Sequence, residues 1–380
     1  MEEESASSGG CSWDDLPVEI GDLILHLAVS TAPGEDEDLE LLMEVVICFV
    51  CRTWNTRKDK WIKKKSVSIF ARERFLSGIL TELAASLGRV SLLKWLISKF
   101  CPLRQQAALA ASKAGHLEVL KWLTENGGCP KEKWDAGMCS SAAGGGHLEV
   151  LKWLRENGCI WDEHTFACAA TGGHVEVLKW LKENNCPWTA FSSSCAAREG
   201  HFEVLKWLKE NGCPLDVNSF NFAAQRADME VLEWLRENKC SWAESTCAHA
   251  ALSGDLEVLM WLRGHGCPWD LTTCTNAARE GHLEVLKWAR ASNCAWGASA
   301  CAAAALGGHL DVIEWMRANG CIWDQSVCAA AASKGHLEVL QWLRKNGCPW
   351  NWLTFDCASK GRHHEVAKWA KENGCPTRPY

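Results

Sequence analysis

The chain of 380 residues holds 22 cysteines, 13 histidines and 23 tryptophans against a single tyrosine. Thiols and imidazoles at that density are the raw material of zinc sites, thiol nucleophiles and proton relays. Tryptophans at that density could be stacking platforms for nucleic-acid bases. Spacing decides among these chemistries. A closed zinc site wants ligand pairs about two to five residues apart that converge on one tetrahedron. Here the cysteines recur singly, and the one short pair, Cys48 and Cys51, has no further ligand nearby and reads as helix packing. No metal and no cofactor is expected. Histidine recurs after glycine at His116, His147, His174, His201, His282, His309 and His336, with Asp228 and Asp255 in its place twice. These read as helix-start residues whose rings bond the neighbouring turn, where Asp would serve equally as a cap. No Ser-His-Asp set, phosphate-cradling glycine loop or carboxylate pair stands out, so no catalytic residue and no enzyme activity is expected.

Composition sets wider limits. A charged fraction of 23% with 47% hydrophobic residues excludes wholesale disorder. No run of about 18 apolar residues is present, so no membrane partner is expected. A net charge of -7 argues against a nucleic-acid partner, which favours a basic domain. Met1 to Gly10 carries three glutamates where a signal peptide would be basic and then apolar. The expectation is a reducing cytoplasmic or nuclear compartment in which the cysteines stand as thiols.

The elements that carry these residues are repeats. Tryptophan recurs in one context at Trp95, Trp122, Trp153, Trp180, Trp207, Trp234, Trp261, Trp288, Trp315, Trp342 and Trp369, every 27 residues except for one interval of 31. Six residues after nearly every one stands a cysteine, and eight after most of them a second tryptophan, such as Cys186 and Trp188 after Trp180. A further cysteine follows at 13 or 15 residues, as at Cys247 and Cys168. The segment from Gly173 to Asn184 places Val177, Trp180 and Leu181 on one helical stripe, with Glu176 and Lys179 opposite. Asn-Gly or Asn-Asn stops that helix, and Pro187 or its counterparts keep it stopped. The other half of each unit, such as Thr165 to Ala170, is small and alanine-rich, suited to close approach on the inner side of a stack. A 27-residue unit cannot bury its apolar face alone, so the fold class is all-α, an α-solenoid of stacked helix–turn–helix units.

The run Cys168-Ala169-Ala170-Thr171-Gly172-Gly173-His174-Val175-Glu176-Val177-Leu178-Lys179-Trp180-Leu181 resembles the ankyrin repeat, and about eleven such units span residues 79–380. Ankyrin units usually have about 33 residues. These are shorter where the family's β-hairpin finger sits, and only the connection from Cys129 to Met138, with four extra residues, approaches one. The resemblance implies a protein partner, met on the inner helices rather than on fingers.

The front of the chain differs. Residues 1–60 balance to -10 and residues 61–100 to +6, while the rest is nearly neutral at -3. Residues 1–11 read as a disordered acidic terminus and residues 66–78 as a linker helix. Between them, residues 12–65 resemble an F-box: Leu16, Pro17, Ile20 and Ile24, then Val50, Cys51, Arg52 and Trp54, then Trp61, lengthened by an acidic insertion from Gly34 to Glu40. That resemblance implies docking on the Skp-type adaptor of a cullin–RING ubiquitin ligase. A helical cap for the first repeat is the plainer reading. Lys58, Lys60, Lys63, Lys64 and Lys65 form a basic run that reads as a solvated helix face.

Positions that every unit fills alike are explained by stacking; positions that differ are free for recognition. Those 10, 14 and 18 residues after each Trp form such a stripe, from which Lys113, Arg198, Asn221, Gln225, Arg279, Trp352, Asp356 and Lys360 are the expected partner-binding residues. The functional expectation is a monomeric substrate receptor that holds a protein target on the array and presents it to the ligase. The alternative is a scaffold or effector with no ligase link.

Overall fold

The computed structural model describes residues 78–98 and 101–377. Among them there is no strand, and no helix is long and apolar enough to cross a membrane. Each period is a pair of short helices, a small-residue helix followed by a Trp helix. The described residues group into two compact units, one ending at Trp188 and one beginning at Thr189.

The Trp helix is set by its ends. Val175–Glu183 stops at Asn184, and Asn185 then takes φ 59°. Asn185 N–H bonds Lys182 O at 3.1 Å and Cys186 N–H bonds Leu181 O at 2.9 Å, which is a Schellman termination. The Asn184 side chain donates to Trp180 O at 2.8 Å. Leu148–Glu156 ends the same way, with Gly158 at φ 87° and Cys159 N–H on Leu154 O. The cysteine six residues after Trp is thus the first residue past a left-handed stop, delivered into the core by the turn itself.

The small-residue helix is set by its start. Asp162 caps Glu163–Thr171 by accepting from His164 N and Thr165 N, and Asp135, Asp216, Asp270, Asp324 and Asn351 cap their helices likewise. The residue after the second Trp is a cap in most periods.

In each unit, successive small-residue helices pack on one another, and each Trp helix lies against the small-residue helix of its own pair. Alanines such as Ala142, Ala143, Ala277 and Ala278 are fully buried in those contacts. Their lack of side chain beyond Cβ is what permits the close approach.

Two expectations are corrected. The buried stripe of the Trp helix is Val177, Leu178 and Leu181, with Trp180 only half-buried on its flank. An indole is too wide to enter the gap between helices packed through alanine, so the tryptophans line a seam between periods. Trp161 there meets the edge of Trp180 at 5.6 Å between centroids and an interplanar angle of 75°, while the Arg155 guanidinium lies 4.0 Å from its ring. The same trio recurs with Trp269, Trp288 and Arg263, and with Trp350, Trp369 and Arg344. The second correction concerns the longer connection after Cys129. It is a 3-10 turn, Lys131–Lys133, rather than a β-hairpin finger, closed by Trp134 Nε1–H on Cys129 O at 3.2 Å.

Candidate functional site

The expected partner face lies on the small-residue helices. Lys113, in the first unit, is exposed in the last turn of Gln105–Ala114. In the second unit Arg198, Gln225, Arg279 and Lys360 are exposed at the C-terminal ends of Ala190–Glu199, Val217–Gln225, Leu271–Arg279 and Trp352–Lys360. Cations suit that end of a helix, which carries partial negative charge. Lys360 also pairs with Asp356 at 2.8 Å, and Asp356 is half-buried beneath it. Trp352 opens the last of these helices, half-buried.

Asn221 does not belong to this face. It is 3% exposed, donates to Ser245 Oγ at 3.1 Å and accepts from Thr246 Oγ1 at 2.8 Å. Ser194, on the same stripe, is buried against Asp216 at 2.6 Å. A polar residue that differs between repeats here serves the joint with the next repeat. Variation alone could not tell the two uses apart, because a private hydrogen bond between neighbours is as repeat-specific as a binding residue.

Fifteen residues after the Trp runs a second varying column that the sequence stripe passed over. In the second unit it holds Phe222, His249 and Asn276, all half-buried. The Arg198 guanidinium lies 6.0 Å from the Phe222 ring, and that ring meets His249 at 6.2 Å and 82°. His249 Nδ1 lies 2.7 Å from Ser245 O, and Asn276 donates to Ala248 O at 2.9 Å. A cation, an aromatic ring and an imidazole therefore sit side by side across three successive helices. The signal was present in the sequence, since Phe and His replace the small residue or cysteine of other periods.

The recurring histidines are inter-repeat ties. His174 Nε2 lies 3.1 Å from Gly144 O, His282 Nε2 3.1 Å from Leu252 O, and His336 Nε2 3.0 Å from Leu306 O, each thirty residues back. None caps its own helix by side chain, whereas Asp228 and Asp255 do, accepting from Val231 N and Val258 N. The two residue types are therefore not interchangeable. In the Asp228 period the neighbouring Arg226 reaches the preceding repeat instead, 3.4 Å from Arg198 O.

Among the described residues every cysteine is a free thiol, and two arrangements recur. Cys186, Cys213, Cys240 and Cys375 donate to the carbonyl of the residue that caps the paired small-residue helix, at 3.2–3.4 Å, as Cys159 and Cys294 also do. Burial pushes Cys213 and Cys240 up to about 11 and Cys186 up to about 12. Where the small-residue helix also carries a cysteine in its first turns, the thiols meet in pairs: Cys139 with Cys159, Cys247 with Cys267, Cys274 with Cys294, Cys301 with Cys321, and Cys328 with Cys348. Among the described residues no group of three or more Cys, His, Asp or Glu converges on a common point to hold a metal.

Leu16, Pro17, Ile20, Ile24, Val50, Cys51, Arg52, Trp54 and Trp61 lie outside the described residues, as do the acidic terminus, the linker up to residue 77 and the lysine run from Lys58 to Lys65. No family model matches the chain, and no curated protein is significantly similar to it.

Proposed function

We propose that the chain is a non-enzymatic interaction protein: an ankyrin-like repeat array that holds a protein target, preceded by an F-box-like module that links the target to a cullin–RING ubiquitin ligase. The observation that carries the binding role is the row of Arg198, Phe222 and His249, an aromatic and two nitrogen-rich groups on neighbouring helices. Aromatic and Arg side chains dominate the energetics of protein interfaces. The exposed cations Gln225 flanks, Arg198 and Arg279, extend the same surface toward an acidic or polar partner. The ligase role rests on the order of Leu16, Pro17, Ile20 and Ile24, followed by Val50, Cys51, Arg52 and Trp54, in residues 12–65. In this reading the apolar Leu-Pro helix enters the Skp-type adaptor, and the protein works as a monomer in the cytoplasm or nucleus without a cofactor.

The test is co-purification of the full chain with a Skp-type adaptor, beside the double variant Leu16→Ala and Pro17→Ala. Wild type is expected to retain the adaptor and the variant to lose it. Failure of wild type to retain it, where an established F-box protein does, removes the ligase role and leaves a repeat scaffold that binds a partner by itself.

A further inference from the structure

The paired thiols are built alike in five periods. Each pair joins a cysteine in the first turns of a small-residue helix to the cysteine just past the left-handed stop of its partner Trp helix, twenty residues on. In the period of Ala298–Gly307 and Leu310–Ala318, Cys301 Sγ donates to Cys321 Sγ at 2.9 Å, and Cys321 Sγ lies 3.5 Å from Gly297 O. An arginine attends every pair. Arg155, Arg263, Arg290, Arg317 and Arg344 each bond the backbone carbonyl of the later cysteine, Cys159, Cys267, Cys294, Cys321 and Cys348, with Arg290 Nη1 at 2.7 Å. Four of the pairs, from Cys247 to Cys348, fall in successive periods of the second unit.

We propose that these five pairs are redox modification sites, each closing to an intrarepeat disulfide by exchange with a small disulfide of the glutathione class. The later cysteine of each pair, as thiolate, attacks one sulfur of the small disulfide. That S–S bond breaks, a mixed disulfide forms, and the first small thiol leaves, taking up a proton. The earlier cysteine loses its proton and attacks the protein sulfur of the mixed disulfide, expelling the second small thiol. Two protein thiols are oxidised by two electrons and one small disulfide is reduced to two thiols.

Charge and access favour this order. The later cysteine is held below the usual thiol range first by the S–H···S bond from its partner, against the opposing effect of burial, and further by the partner's backbone N–H and by arginine charge, Arg263 for Cys294 and Arg290 with Arg317 for Cys321. The earlier cysteine keeps its proton tightly, because the same hydrogen bond and its burial hold it. Both sulfurs are buried, but Cys321 sits in the turn between exposed Gly320 and Ile322, the latter 68% exposed. Opening that turn admits a small disulfide without separating the stacked helices. The chain also carries its own controls. Phe166, Ser193, Phe220 and Phe355 stand where the earlier cysteine would be, opposite Cys186, Cys213, Cys240 and Cys375. Those four thiols are pushed up by burial and have no second thiol to resolve a mixed disulfide.

The test is to expose the folded, fully reduced chain to oxidised glutathione, block remaining thiols after denaturation, and map bonds by mass spectrometry. The result expected is bonds joining cysteines twenty residues apart at the five pairs, with Cys186, Cys213 and Cys240 still reduced. Cys301→Phe, a residue other periods already carry at this place, should abolish the bond at Cys321 alone. Bonds of other spacing, adducts mainly on the control thiols, or pairs that stay reduced while the folded chain is intact would each overturn the proposal.

Discussion

His309 Nε2 lies 2.9 Å from the backbone carbonyl of Arg279, thirty residues earlier and one repeat back. The bond satisfies a carbonyl at the C-terminal end of Leu271–Arg279, where the helix itself supplies no partner. The ring reaches it by lying over Gly281, whose φ is 79° and where a Cβ would stand 2.6 Å from His309 Nδ1. Gly-His is thus one device divided between neighbours: the glycine of one repeat makes room for the histidine of the next.

Replacing His309 by Ala should therefore cost about 0.5–1 kcal/mol, the net worth of one hydrogen bond whose carbonyl water can reach once the ring is gone. His309→Asp should recover much of that loss by capping its own helix, as Asp228 and Asp255 do. Urea denaturation of the two variants checks the ordering. Equal stability of His309→Ala and wild type would show that the tie contributes nothing.

The Trp helix supplies a second ordering. Leu205 is 1% exposed among helices packed through alanine, whereas Trp207 is half-buried in the seam. Leu205→Ala should cost about 2–5 kcal/mol through lost burial and a cavity. Trp207→Ala, the larger truncation, should cost less than Leu205→Ala, on the order of 1–3 kcal/mol, because part of the indole surface is already in water and its removal opens a seam rather than a closed cavity. Chemical denaturation with the reverse ordering would put the indole back in the core.

The unpaired thiols predict an alkaline limit. Cys213 and Cys240 are held protonated up to about 11, and Cys186 up to about 12, against 9.0 for the thiol without burial. Above pH 9 the unfolded chain sheds protons that the folded chain keeps, so unfolding binds fewer protons and stability falls as pH rises. The contribution is complete below pH 9 and is lost as pH rises through the folded values, on the order of 1–3 kcal/mol per thiol. Stability measured from pH 8 to 11 should fall for wild type and fall less for Cys213→Ala relative to its own value at pH 8. Parallel slopes would contradict the assignment.

Much of this array is legible in the sequence because each repeat restates the same constraints. The 27-residue ruler, the Asn-Gly stop and the alanine-rich partner helix follow from spacing and residue size alone. The indole's place does not: helical phase puts Trp180 beside Leu181, and only the width of the gap decides that Leu178 enters it instead. Asn221 shows the other limit. Whether a variable polar residue faces outward or bonds a neighbour depends on what stands 24 or 25 residues on, here Ser245 and Thr246. The five thiol pairs required both helices of a period to be seen at once, since cysteines twenty residues apart have no local signature.

In the proposed function a partner is held on the small-residue helices, at positions that stacking leaves unused. The most direct measurement compares proteins captured by the full chain with those captured by the triple variant Arg198→Ala, Arg279→Ala and Lys360→Ala, quantified by mass spectrometry. All three side chains are exposed, so the variant should keep its stability within about 0.5 kcal/mol per site. At least one protein enriched by wild type is expected to fall by about tenfold or more with the variant, a loss of about 1.4 kcal/mol of binding free energy. The same proteins captured at the same yield by a folded variant would contradict it.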